Sequence, residues 1–263
     1  MEILKKLIDF KKKNLSEISL EENRRRKLPV LSLRKLLEKD DFGLICEIKR
    51  ASPSAGKINI DINVEEIAKE YEENGATGIS VLTCEPYFQG SIDDLEKVKK
   101  VVNIPVLMKD FIIDEKQIYQ GFYSGADVIL LILKILEDRK LKELCRIVDE
   151  LGIECIVEVH QKSEIERAME VIKNWDNKIL GINNRNLETL EIDIRKSFDL
   201  IKFILKDKIT TISESGIKKR EDIEKLKEAG FKGVLIGESL MKSERKGEKI
   251  KEFINLKGGN YGK

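Results

Sequence analysis

Residues 105–131 read PVLMKDFIIDEKQIYQGFYSGADVILL. Two short apolar runs, Pro105–Met108 and Asp127–Leu131, flank a helical stretch, Glu115–Ser124, closed by Gly125. Each run has the length of a strand, and near-continuous apolar character is what a parallel strand covered on both faces requires. A glycine directly after a helix accepts the left-handed backbone that ends it. Strand, helix and strand in this order predict a parallel crossover unit.

Working outward, the same unit recurs. Further runs lie at Leu44–Ile48, Gly78–Leu82, Ile153–Val157, Ile179–Ile182, Ile209–Ile212 and Gly233–Ile236, which makes eight. Helical stretches separate them at Val64–Asn74, Leu136–Leu151, Gln161–Ile172, Ile194–Leu205 and Lys219–Ala229, and Gly75, Gly152 and Gly230 follow three of these. Eightfold alternation predicts an α/β fold, a (β/α)8 or TIM barrel over residues 41–256. The alternative is a doubly wound open sheet. Against it, neither GxGxxG nor GxxxxGK[ST] follows the first strand. Residues 1–40 differ in texture. Ile3, Leu4, Leu7 and Ile8, then Leu31, Leu33, Leu36 and Leu37 beyond Pro29, predict two or three short helices, an N-terminal helical extension. The charge run from Glu21 to Lys27 is read as a solvated helix face. The glycine-rich residues 257–263 are expected to form a flexible tail.

Composition narrows the function. The 263 residues carry 49 Lys+Arg against 48 Asp+Glu, a net charge of +1, which argues against a dedicated nucleic-acid binder. No apolar run approaches the roughly 18 residues of a membrane span. The opening MEILKKLIDFKKK is charged throughout, with no apolar signal core. Cys46, Cys84, Cys145 and Cys155 lie far apart without a CxxC pair, which fits reduced thiols and gives neither a disulfide framework nor a zinc site. The expectation is a cytoplasmic protein, a monomer or weak oligomer, that acts on a small molecule and engages neither nucleic acid nor membrane.

A barrel places its chemistry at the C-terminal ends of the strands. Strand one ends Cys46-Glu47-Ile48-Lys49, and side chains alternate, so Glu47 and Lys49 share one face while Cys46 and Ile48 share the other. Others end with Lys109-Asp110-Phe111, Glu158-Val159-His160, Asn183-Asn184-Arg185, Ser213-Glu214-Ser215-Gly216 and Gly237-Glu238. Any one of these could be a surface ion pair; six of eight strands delivering ionisable or amide groups to one rim is a site. The last two loops predict a phosphate cradle from Ser215, Gly216, Gly237 and Glu238, with Glu238–Met241 as a short helix and the Glu238 side chain turned away. Arg185 or Lys49 would add charge. Ser52-Pro53-Ser54 reads as a flap with Gly56 as its hinge. His160, the lone histidine, reads as a hydrogen-bonded structural residue, and Trp175 as packing.

These blocks resemble the indole-3-glycerol-phosphate synthase family. The resemblance rests on Glu47–Ser54, Leu82-Thr83 with Tyr87–Ser91, Pro105–Ile112, Val157–His160, Gly181–Leu187, Ser213–Ile217 and Ile236–Met241, in the family's order across nearly the whole chain. The chain departs at Met108, where many members have Arg, and Cys84 is another variable position. Met108 has opposite strand parity from Lys109, so no loss of activity is expected. The resemblance implies ring closure of 1-(2-carboxyphenylamino)-1-deoxyribulose 5-phosphate, with loss of carbon dioxide and water, in tryptophan synthesis, with no metal or organic cofactor. It implies Lys109 as general acid. A neighbouring Lys49 is expected to lower the Lys109 pKa. Lys49 would pair with the substrate carboxylate, Glu158 would act as base and Glu47 would orient both lysines. Asn183 and Glu214 would hydrogen-bond substrate hydroxyls or the amines. Ser52 and Arg185 would contact substrate, and Phe88, Phe111 and the apolar strand residues Leu130 and Leu187 would wall the ring. Two rivals are a phosphosugar isomerase barrel, which would not release carbon dioxide, and a barrel without catalysis.

Overall fold

A computed structural model describes residues 2–19, 25–40, 42–54, 56–205 and 208–254. Eight parallel strands close into a barrel: β1 (Gly43–Ile48), β2 (Gly78–Leu82), β3 (Val106–Lys109), β4 (Val128–Ile132), β5 (Glu154–Val159), β6 (Lys178–Asn183), β7 (Thr211–Glu214) and β8 (Gly233–Ile236). Strands adjacent in the chain pair with each other, and β1 closes on β8 with Cys46 beside Ile236. Closure excludes the open sheet. Several strands run past the apolar text: Lys109, Glu158, Asn183 and Glu214 are the polar ends of the strands themselves.

The helices are α1 (Glu2–Asn14), α2 (Leu33–Lys39), α3 (Val64–Glu73), α4 (Ile92–Val101), α5 (Glu115–Tyr123), α6 (Asp138–Leu151), α7 (Lys162–Val171), α8 (Arg195–Leu200), α9 (Arg220–Ala229), α10 (Glu238–Met241) and α11 (Lys246–Ile254). The stretch expected at Ile194–Leu205 is shorter: α8 tightens into a 3-10 turn at Ile201–Phe203. The predicted stop signal holds, since Gly75, Gly125, Gly152 and Gly230 all have positive φ. Asp114 and Gln117 form a capping box that starts α5.

Strand parity splits the core in two. Leu44, Cys46, Ile48, Val81 and Met108 face the helices in one cluster, while Ile45, Leu107, Leu130, Ile156, Ile179, Ile212 and Leu235 fill the barrel. Trp175 is half-buried against the outer cluster, as expected. At the N-terminal face the inward positions of three strands are glycines: Gly43, Gly78 and Gly233. A Cβ at Gly43 or Gly233 would collide with Leu37, and one at Gly78 would lie 3.0 Å from Leu33. Helix α2 therefore plugs the barrel floor with Leu33 and Leu37, both buried.

Polar fasteners hold the plug. Glu154 at the start of β5 accepts from the Ser32 hydroxyl and from the Arg34 N–H at 2.9 Å. Asp127, fully buried, accepts from Arg26 and Lys99, each at 2.6 Å, and from the N–H of Leu31 at 3.0 Å. This corrects the reading of the Glu21–Lys27 charge run. Residues 20–24 lie outside the described residues, but residues 25–27 are not helical, and the Arg26 side chain is only 6% exposed. A buried carboxylate recruits the guanidinium, because an unpaired charge there would cost several kcal/mol. The tail at 257–263 also lies outside the described residues.

Leu37→Ala would remove a fully buried plug side chain and leave a cavity, at about 3 kcal/mol of unfolding free energy. Urea denaturation of the full chain should show this as a lower midpoint with unchanged slope.

Candidate active site

The polar strand ends converge on one cavity of about 510 Å³ at the C-terminal mouth. Glu47, Lys49, Ser52, Phe88, Lys109, Phe111, Leu130, Glu158, Asn183, Arg185, Leu187, Glu214, Ser215, Gly216, Gly237 and Glu238 all line it. Every expected site residue is thus brought together. Inward parity on β1 places Lys49 Nζ 2.7 Å from Glu47 Oε1. The Lys109 ammonium, at the end of β3, lies 3.1 Å from Glu214 Oε2 on β7 and 3.4 Å from Glu158 Oε2 on β5. Both glutamates are buried. Phe88 and Phe111 sit with ring centroids 6.1 Å apart, a tilted aromatic wall. Leu187 lines the cavity from the loop after β6 and not from a strand, because the chain leaves the sheet at Asn183.

The loops after β7 and β8 both border the cavity. Ser215 and Gly216 carry φ of 68° and 85°, and the Asn184 amide donates to the Ser215 carbonyl at 2.9 Å. Glu238 differs from expectation. Its carboxylate lies 2.6 Å from Lys242 Nζ and 3.6 Å from Arg185 Nη2, so it takes part in the charge of the mouth instead of turning away. Arg185 also donates to the Ser54 hydroxyl at 2.8 Å and to the Leu190 carbonyl at 3.1 Å. That ties down the segment after β1, a small hairpin with Ser52 opposite Gly56, whose φ is +63°.

The sequence leaves open whether the N-terminal helices cover the site or only cap the barrel; α1 lies over the cavity. Ile3, Leu4 and Leu7 of α1 line the cavity, and Leu7 packs with the barrel interior. Lys11 pairs with Asp110 at 2.7 Å, while Thr83 donates to the same carboxylate at 2.8 Å. The apolar stripe of α1 was visible; its destination, some hundred residues away in sequence, was not. Lys218 and Lys242 also line the mouth. Lys242 stands one turn after Glu238, a spacing that signals the pair.

A family model described as indole-3-glycerol phosphate synthase matches residues 3–253. The synthase of Bacillus thuringiensis subsp. konkukian is 46% identical over 246 residues, covering 92% of this chain and 93% of the relative. That of Bacillus cereus strain AH187 is 45% identical over 246 residues with the same coverage. The chain belongs to the indole-3-glycerol phosphate synthase family. Solved structures share the fold at low identity. The 3-hexulose-6-phosphate synthase of Salmonella typhimurium has a TM-score of 0.63 at 13% identity over 81% of this chain and 96% of that one. The thiamine phosphate pyrophosphorylase of Pyrococcus furiosus has 0.59 at 14% over 82% and 96%. Members of the synthase family are carbon–carbon lyases that close an indole ring with loss of carbon dioxide in tryptophan biosynthesis.

Electrostatics in this synthase pocket reverse one expectation. Burial pulls the Lys109 pKa down, but the carboxylates of Glu214, Glu158 and Glu47 outweigh it, and the net shift is upward. The net lowering expected beside Lys49 is therefore not found. Burial would raise Glu158, yet the Lys109 ammonium, His160 and an Asn183 hydrogen bond bring it to about 2. Glu214 is raised to about 7 by burial, with the Glu158 and Glu47 charges adding to it against the pull of Lys109. The site therefore holds one carboxylate firmly ionised and another that shares a proton near neutrality. Among the described residues, no three His, Cys, Asp or Glu side chains are grouped to hold a metal ion.

Glu214 gives a pH signature. Its folded pKa lies above the unfolded value, so the folded state binds the extra proton, and stability falls as pH rises between about 4.5 and 7. Glu214→Gln should flatten that part of the profile of thermal midpoint against pH, measured by circular dichroism.

Proposed function

We propose that this cavity closes the indole ring of 1-(2-carboxyphenylamino)-1-deoxyribulose 5-phosphate, with Lys109 as the general acid. The observation that carries the reading is the Lys109 ammonium held between Glu158 and Glu214 at the bottom of an aromatic-walled pocket. Its raised pKa keeps the proton loaded through the neutral range. The substrate's ring carbon that bears the carboxylate attacks the ketone carbon. Lys109 donates to the ketone oxygen as the new carbon–carbon bond forms, so no free alkoxide accumulates. The carboxylate then leaves as carbon dioxide and its bonding electrons restore the aromatic ring. Lys49 pairs with that carboxylate before it leaves, exchanging part of its contact with Glu47. Loss of the new hydroxyl as water takes one proton from an acid and returns one from the intermediate to Glu158. Lys49, or Lys109 once it has regained a proton from water, serves as that acid, so the carboxylate substrate takes up one proton from solvent overall. The sum is one carbon dioxide and one water per indole formed, with no oxidant or reductant.

Asn183 positions the Glu158 carboxylate and reaches substrate hydroxyls. Phe88, Phe111, Leu130 and Leu187 wall the aromatic ring. Ser215, Gly216, Gly237 and the Glu238 backbone receive the phosphate, with Lys218, Lys242 and Arg185 supplying positive charge around it. Glu238 pairs with Lys242 and Arg185, and the dianion would compete for them. Residues 41–256 form the catalytic unit in this reading, with residues 1–40 as an accessory segment that roofs and floors it. The expected setting is the cytoplasm, with the chain acting as a monomer or weak oligomer. No helix among the described residues is long and apolar enough to cross a membrane.

The direct test follows indole fluorescence after the purified protein is mixed with the carboxyphenylamino-deoxyribulose phosphate, with chelator present. A rise that Lys109→Ala reduces by a factor of about 10² or more supports the acid assignment. Unchanged turnover in that variant removes it. A second prediction concerns the roof. Deleting residues 1–14 would uncover the apolar side of the pocket and release Asp110, and KM should rise at least several-fold while the strand-borne groups remain. An unchanged KM would give α1 no part in binding.

A further inference from the structure

His160 stands just beyond the end of β5, and its side chain is only 7% exposed. It is absent from the lining of the cavity, so it does not touch substrate. Its imidazole nonetheless reaches the active site through one intermediary. Nε2 lies 3.2 Å from Glu158 Oε1, the oxygen on the far side of that carboxylate from Lys109. Nδ1 lies 3.5 Å from Glu164 Oε2 in the first turn of α7. Glu164 also accepts the His160 backbone N–H at 2.7 Å, which fixes the ring's root. Neither ring N–H points along a hydrogen-bond line to its carboxylate, so the contacts are ionic.

We infer that His160 is a positioning residue for ring closure: wedged between two buried glutamates, it holds the Glu158 carboxylate ionised and aimed at the Lys109 side of the cavity. The inference rests on the reading of Glu158 as base. Burial of Glu158 favours its neutral form, and a protonated carboxylate cannot accept a proton. A single ammonium, shared with Glu214, faces Oε2 only. The imidazolium supplies the second positive charge, on Oε1. Glu164 in turn keeps the imidazole protonated, and together the two glutamates raise His160 to about 9 against the pull of burial. The other charged groups of the neighbouring elements are already engaged. Lys134 pairs with Glu188, and Arg167 pairs with Asp138 and donates to the carbonyls of Leu133 and Leu136. This revises the sequence reading of His160 as structural only.

The test uses the fact that His160 is the chain's one histidine. Its imidazole carbon-bound protons give a single titrating NMR signal that needs no assignment. In the full-length protein the midpoint should lie well above 6.5, toward about 9, and Glu158→Gln should bring it down by about a unit or more. Kinetically, His160→Gln, which keeps bulk but not charge, should lower kcat at least tenfold. KM and the affinity for indole-3-glycerol phosphate should stay within about twofold. His160→Ala should follow the same split, and circular dichroism checks that both variants fold. An imidazole midpoint that ignores Glu158→Gln, or a His160→Gln protein with full kcat, overturns the inference while leaving Glu158 as base. Full turnover in Glu158→Gln overturns the base assignment itself, and the role of His160 with it.

Discussion

The buried ammonium of Lys109 sets the terms for the whole upper layer of the barrel. A charge with a side chain 14% exposed has to be compensated locally, and the barrel does so with carboxylates from strands on the far side of the ring. Overcompensation follows. With Glu47, Glu158 and Glu214 against Lys49 and Lys109, the layer carries excess negative charge if every group ionises. The protein relieves this in two ways: Glu214 retains its proton near neutrality, and His160 gains one. A substrate carboxylate would add another negative charge and push both in the same direction. Lys109 is thereby kept protonated without the lowered pKa that two neighbouring lysines would produce.

The fold was legible because barrel strands are short, apolar on both faces and separated by helices, four of which end at a glycine; the alternation from Leu44 to Ile236 leaves little else to propose. The site was legible for a related reason. A strand buried on both sides has no ordinary use for Glu47, Lys109, Glu158 or Glu214, and parity alone points all four inward. Contacts between distant segments were not legible. The stripe Ile3, Leu4, Leu7 announces an amphipathic helix, and nothing in it says which surface it covers. Arg26 looked like one charge in a solvated run, because its partner Asp127 sits about a hundred residues on, at the start of β4. Net electrostatics were not legible either. Whether Lys109 is raised or lowered depends on the sum over three strands, which one strand's text cannot supply.

The N-terminal segment works on both ends of the barrel. Helix α2 fills the floor where three strands begin with glycine, and α1 crosses the mouth, where Lys11 finds Asp110. The two contacts are unlike in physical character. The floor is apolar packing with buried polar fasteners, and losing it costs stability. The roof is an ion pair on a buried Asp110 beside an apolar stripe that lines the cavity.

The same logic of small residues opposite large ones governs the catalytic layer. A Cβ at Gly181 on β6 would collide with Glu214 Oε1, and one at Gly237 after β8 would collide with Glu47 Oε1. Each glycine occupies an inward position beside a strand that carries a glutamate. In the floor layer the missing side chains make room for the leucines of α2; in the upper layer they make room for carboxylates. Gly237 thus leaves an empty space beside Glu47 that a Cβ would enter. The Glu47 oxygen in the space at Gly237 is the one that Lys49 reaches at 2.7 Å, while Glu214 turns Oε1 to Gly181 and Oε2 to Lys109. Backbone packing and ion pairing therefore act on the same two carboxylates, and a Cβ at either glycine would shift a carboxylate that a lysine holds.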